Sequence, residues 1–165
     1  MWKKDLLPDA EAYAWRRGLE LSGRLGDGAD GNVWKVRGKR KRVSWALKLQ
    51  AGTAGYQRER DCYERLGEHG VSEIAGFHVP QLIRSDDESN AIEMSIVSRP
   101  FMLDFAQAYL DEVPEFPDEV WEERLETWQE IYAEDWPQVS RALRELRCLG
   151  IHYLDVHRQN IALAG

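Results

Sequence analysis

Glycine crowds one short stretch of this chain, Gly23-Arg24-Leu25-Gly26-Asp27-Gly28-Ala29-Asp30-Gly31, and the residues immediately after it fix how that stretch must fold. Val33-Trp34-Lys35-Val36 alternates apolar and polar residues, the period of a β-strand. Arg37-Gly38-Lys39-Arg40 makes a turn, and Val43 to Leu49 returns as a second strand. The glycine-rich segment therefore lies within a β-meander. Any chemistry it carries is that of a hairpin backbone.

The flanking sequence supplies the other elements. Residues 8–18 predict a short helix with Pro8 in its first turn. Residues 55–67 predict another, since Tyr56, Glu59, Cys62, Tyr63 and Leu66 recur at helical spacing and Gly67 can end it. Val79 to Ile83 and Ala91 to Val97 read as strands joined by the polar turn Ser85 to Asn90. Residues 101–110 read as helical and 111–117, with Pro114 and Pro117, as a linker. A helical pattern then runs from Asp118 to about Glu134, Trp136-Pro137 breaks it, and Val139 to Leu149 forms a last helix. Its apolar face is Val139, Ala142, Leu143, Leu146 and Leu149, and Gly150 stops it. Ile151 to Leu163 reads as a loop and a short strand. The expected fold is α+β: an antiparallel β-sheet with one helix, then a helical second half.

At 165 residues, 43% apolar and 31% charged, the chain has the make-up of one globular domain rather than of a disordered segment. No run of about 18 apolar residues suggests a membrane span, and Met1 to Trp15 lacks the apolar core of a secretory signal. Cys62 and Cys148 have no partner at metal-binding spacing, so a reducing cytoplasm is the expected setting. The net charge of −7 is uneven: Asp111 to Asp135 carries −10, with Arg124 its one basic residue, while Lys35 to Arg42 is strongly basic. The acidic window suits either a basic partner or a solvated helix face. The basic turn lacks aromatic residues at stacking spacing, which speaks against nucleic acid.

Four features bear on chemistry. Gly26-Asp27-Gly28-Ala29-Asp30-Gly31 has the G-x-G-x-x-G spacing. A dinucleotide-binding turn would open a helix; here a hairpin comes next, so the spacing fits either a phosphate-covering hairpin or an ordinary turn. Lys48 sits in the apolar strand Trp45-Ala46-Leu47-Lys48, where its ammonium must reach a counter-charge or solvent. Glu59 on the next helix is a candidate partner, or a solvated helix residue. Last, the helix ending at Gly150 leads into Ile151-His152-Tyr153-Leu154-Asp155-Val156-His157-Arg158-Gln159-Asn160, which holds Asp155 and Asn160 five residues apart ahead of an apolar strand.

In this order the four features resemble the protein-kinase-like superfamily over about residues 20–165. The resemblance implies an N-terminal helical extension (1–19), a β-rich N-lobe (20–99) and a reduced helical C-lobe (100–165) ending at the catalytic loop. It implies ATP as the bound nucleotide. Gly26, Gly28, Gly31 and Val33 would then cover the phosphates, Lys48 would hold them with Glu59 as its ion-pair partner, Asp155 would be the catalytic base, and Asn160 would be a ligand of Mg²⁺. Ser95 to Pro100 would be the hinge against adenine. The D-x-H-x-x-N form, with His157 two residues after Asp155, looks more like atypical and small-molecule kinases than eukaryotic protein kinases.

The sequence departs from the family in two places. Tyr153 and Leu154 replace the His-Arg that precedes the aspartate in many protein kinases. In the family an Asp-Phe-Gly whose aspartate binds Mg²⁺ comes roughly a dozen residues after the asparagine; no Asp-Phe-Gly occurs here, and the sequence ends five residues after Asn160. With Asn160 alone, Mg²⁺ binding is expected to be weak and activity reduced. The alternative is an inactive pseudokinase or interaction module acting through its acidic helix, or half of a complex whose other chain supplies the aspartate. The apolar face of residues 139–149 then needs a cover: the acidic helix, a second copy, or a protein partner.

Overall fold

The computed structural model describes residues 4–28 and 30–165; residues 1–3 of the N-terminal extension and Ala29 of the glycine-rich turn lie outside it. The chain opens with α1 (Leu7–Arg17), which has Pro8 in its first turn and stops at Gly18, whose φ of +65° favours glycine. Strands β1 (Leu19–Asp27) and β2 (Gly31–Gly38) form the hairpin that holds the glycine-rich turn, and β3 (Ser44–Gln50) completes the meander. Next come α2 (Thr53–Glu68), the two-residue strands β4 (Glu73–Ile74) and β5 (Phe77–His78), and then β6 (Leu82–Asp86) and β7 (Ala91–Met94). The main sheet is antiparallel throughout, in the order β1-β2-β3-β7-β6. Its edge strand β1 breaks register on both sides of Arg24, between Leu21 and Gly23 and between Arg24 and Gly26, as bulges at glycine do.

Both faces of this sheet are covered, which is why β3 lacks the alternation of a half-exposed strand. Leu47 and Leu49 of β3, with Trp34 and Val36 of β2, pack against Ala10, Tyr13 and Ala14 of α1. Ala46 of β3, with Ile92 and Met94 of β7, joins Tyr56, Cys62, Tyr63 and Leu66 of α2 in the other cluster. The N-terminal helix is thus an integral layer. A single buried carboxylate helps to fasten it: Glu93 of β7 accepts from Tyr13 Oη (2.6 Å), Trp45 Nε1 (2.8 Å) and Arg17 Nε (3.2 Å).

The second half departs from expectation at residues 101–110, which do not form a helix. Phe101–Met102 is a strand, β8, and Tyr109–Leu110 is another, β9; between them Asp104 has a φ of +60°, which no α-helix contains. Helix α3 (Asp118–Tyr132) and a 3₁₀ turn (Ala133–Asp135) come next. The expected break between two helices is present but falls earlier, at Ala133 (φ +47°), and Trp136-Pro137 opens α4 (Trp136–Cys148), with Pro137 in the first turn, where its missing N–H is harmless. Strands β10 (Ile151–His152) and β11 (Ile161–Ala162) end the described chain.

These short strands close the lower half through distant pairings. β10 pairs with β9, and a second sheet runs β11-β8-β5-β4, drawing strands from both sides of residue 100. The apolar face of α4 is buried inside the chain: Val139, Ala142, Leu143 and Leu146 lie in the core with Trp128 and Tyr132 of α3. No second chain is required to cover it. No helix among the described residues is long and apolar enough to cross a membrane.

The Glu93 contacts predict that Glu93→Ala, which strands three donors, lowers stability by about 3 kcal/mol. Tyr13→Phe should cost about 1 kcal/mol. Urea unfolding measures both, and a Glu93→Ala loss no larger than that of Tyr13→Phe contradicts this account of how α1 is held.

Candidate functional site

Lys48 is directly opposite Val33 on β2 and Ile92 on β7, in the middle of the sheet. Alternation along β3 turns Lys48, with Ala46 and Gln50, toward α2. Glu59 projects from α2 to meet it: Lys48 Nζ lies 2.8 Å from Glu59 Oε2, with the lysine 4% exposed and the glutamate fully buried. The sequence expectation of this pair is met. Glu59 is held by two further donors, Gln50 Nε2 on Oε2 and the Phe105 N–H on Oε1 (3.3 Å).

A residue that the sequence alone did not single out completes this cluster. Asp104 Oδ1 lies 3.1 Å from Lys48 Nζ and also accepts from the Ala106 N–H (3.2 Å). Burial works against the Lys48 ammonium, but Glu59 and Asp104 together outweigh it and hold its pKa above the ordinary lysine value. Burial also pushes the Glu59 carboxyl above its usual value, with Lys48 pulling the other way. The one local hint of Asp104 in the sequence is the pair Asp104-Phe105 with a small residue, Ala106, after it.

Strand pairing carries this cluster to the loop after α4. β8 and β11 are antiparallel neighbours, and the Leu103 N–H donates to the Asn160 carbonyl oxygen at 2.8 Å. Asn160, 8% exposed, donates from Nδ2 to Asp155 Oδ2 (2.8 Å) and to the Asp155 carbonyl oxygen (3.2 Å). That use of its nitrogen leaves its side-chain oxygen free of Asp155. His157 Nε2 lies 3.4 Å from Asp155 Oδ1. Aromatic rings lock the two sides together: Phe105 meets Tyr63 of α2 edge-to-face at 5.3 Å and Tyr153 at 5.2 Å, and Tyr153 Oη donates to the Leu103 carbonyl oxygen. Lys48, Glu59 and Asp104 thus form one cluster and Asn160 and Asp155 a second, joined through the Leu103–Asn160 backbone hydrogen bond.

The glycine-rich hairpin overhangs it. The Gly28 N–H donates to the Gly31 carbonyl oxygen at 2.8 Å, and a Cβ placed on Gly28 would lie 3.5 Å from Asp104 Oδ2. Gly31 tolerates no side chain, because its Cβ would come within 2.5 Å of the Leu49 carbonyl oxygen. Nothing crowds Gly26. Val33 is half-buried against the core on the Lys48 face. Beside the hairpin tip opens a cavity of about 900 Å³. Gly31 and Asn32 of the hairpin, Gly55 and Arg58 of α2, Arg124 of α3 and Asp155 all line it. Residues 95–100 leave β7 as an irregular segment, with the Ser98 carbonyl oxygen held by His78 Nδ1 (2.9 Å).

Among the described residues no group of three or more His, Cys, Asp or Glu side chains is placed to hold a metal. The chain matches no model of a known protein family, and no curated protein matches it in sequence.

The buried pair predicts a pH signature. In Lys48→Met the Glu59 carboxyl loses its counter-charge, and burial raises its folded pKa further above the unfolded value. The folded state then holds the extra proton, so stability falls as pH rises from the unfolded carboxylate range through the folded pKa. Urea unfolding at about pH 5 and about pH 8 should show a steeper loss than in the wild type; parallel profiles would contradict the pairing.

Proposed function

We propose that the chain is an ATP-dependent phosphotransferase with a protein-kinase-like lobe arrangement. One observation carries the reading: the buried Lys48–Glu59 pair is joined by Asp104, which strand pairing sets beside the Asn160–Asp155 loop. Five charged or amide groups of the kind that phosphoryl transfer uses then lie on the elements around a glycine-rich hairpin. The Lys48 ammonium, held protonated by its two carboxylates, is suited to the α- and β-phosphates. The backbone of Gly26, Gly28 and Gly31 covers them, Val33 lies against the base, and Ser95 to Pro100 borders it.

The family's Asp-Phe-Gly aspartate finds its counterpart in Asp104 of Asp104-Phe105-Ala106, which precedes the catalytic loop in sequence instead of coming after it. A partner chain carrying that aspartate is then unnecessary. The residues fit Mg²⁺, which asks for one or two carboxylates and otherwise phosphates and water: Asp104 Oδ2 accepts from none of the described residues, and the Asn160 side-chain oxygen is not used on Asp155. Asp104 and Asn160 would hold the ion, which when bound neutralises charge between the β- and γ-phosphates. Asp155, oriented by Asn160 and open to the cavity, positions the acceptor hydroxyl and takes its proton.

Calorimetry with ATP, with and without Mg²⁺, tests this. The wild type should bind, more tightly with Mg²⁺, and Lys48→Met should weaken binding at least about tenfold. Asp104→Asn should abolish the Mg²⁺ enhancement, while Asp155→Asn should bind normally and lose turnover about 100-fold or more. No binding at millimolar ATP, or full turnover in Asp155→Asn, would overturn it.

A further inference from the structure

The cavity at the hairpin tip has a chemistry of its own. Resting on the phosphotransferase reading, we infer that it is the acceptor pocket and that the acceptor is a small hydroxylated anion, a carboxylate or phosphate ester, rather than an amino sugar or a protein chain. Its volume of about 900 Å³ falls within the range of small-molecule sites. Asp155 lies on its wall, so a hydroxyl bound there reaches the proposed base.

Cationic side chains reach it from two helices, Arg58 of α2 and Arg124 of α3. Arg124 is the one basic residue between Asp111 and Asp135, and it faces the cavity rather than the acidic surface of its own helix. Its guanidinium lies 4.8 Å from the centroid of the Phe116 ring, and its buried Nε has no hydrogen-bond acceptor among the described residues. A guanidinium fixed by stacking and short of acceptors is preorganised for an anion. Arg58 is braced likewise, its Nε donating to the Ala106 carbonyl oxygen at 2.8 Å. Of the carboxylates on the wall, Asp30 already accepts from Gln107 (3.3 Å) and Asp155 from Asn160. A cationic amino sugar would meet both arginines.

In the step so placed, the acceptor hydroxyl oxygen bonds to the γ-phosphorus of ATP and the bond from that phosphorus to the β-bridging oxygen breaks. ADP leaves with the bond's electrons, and the hydroxyl proton passes to Asp155 and then to solvent. The products are ADP, the phosphate ester and a proton.

The test presents Mg-ATP with glycerate, glycerol 3-phosphate, glycerol, kanamycin and casein, reads the phosphorylated product by ³¹P NMR, and measures binding of each small probe by calorimetry in the presence of ADP. Glycerate or glycerol 3-phosphate should be preferred over glycerol at least tenfold, the better of the two telling carboxylate from phosphate. Arg124→Gln should raise KM for the preferred anion at least tenfold, with kcat within about threefold and ADP binding unchanged, and Arg124→Lys should restore part of the loss. Arg58→Gln gives the same readout should Arg124→Gln not fold. Preference for glycerol, kanamycin or casein overturns the inference while ADP binding leaves the nucleotide reading standing. Failure of both anions to bind or react at about 10 mM, an affinity weaker than roughly 3 kcal/mol, also overturns it. A wild type that binds no ADP overturns both readings.

Discussion

The ammonium of Lys48 stands at the centre of a sheet covered on both faces, and a lone charge there would be prohibitively expensive. Its compensation comes from two places far apart in sequence, Glu59 on α2 and Asp104 on the segment after β8. Both arms constrain the fold. For Glu59 to reach it, α2 must lie across the β3 face with Tyr56, Cys62, Tyr63 and Leu66 packed beneath. For Asp104 to reach it, the chain must leave β8 in a left-handed turn and send Phe105 between Tyr63 and Tyr153. The upper sheet and the lower helical part are therefore joined by an ion cluster with an aromatic stack beside it. Either layer alone would leave a charge or a ring uncovered.

The elements governed by local chemistry were legible. Apolar spacing located α1, α2, α3 and α4 to within a few residues, and the glycine-rich hairpin could be inferred from the alternation after it. Lys48 and Glu59 could be paired from sequence because a lysine in an apolar strand demands a partner and a helix comes directly after it. Asp104 was not legible in this way. Its role depends on β8 pairing with β11, nearly sixty residues onward, and two-residue strands leave no periodic signal. The same gap explains the error at residues 101–110, where local propensity favoured a helix and distant pairing decided otherwise. The break between α3 and α4 falls a few residues before Pro137 for a different reason: proline ends a helix from within but suits its first turn, and only the position of the preceding cap distinguishes the two.

On the proposed reading the family's aspartate is supplied by Asp104, upstream of Asn160, so its place beside Lys48 matters and its linear order does not. Arg158 binds the Ile131 carbonyl oxygen and Tyr132 donates to the Ile161 carbonyl oxygen, which holds the late loop against α3. Arg65 adds a further tie, donating to Asp111 and to the Leu149 carbonyl oxygen from the end of α2. These contacts hold in place the loop that carries Asp155.

On the proposed function the hairpin, the Asp104 segment and the Asp155–Asn160 loop act as one nucleotide-binding surface. Amide hydrogen exchange with and without Mg-ATP tests it most directly. Residues 26–33, 103–106 and 155–161 should gain protection together on addition of nucleotide. Protection confined to one of these segments, or to none, would contradict it.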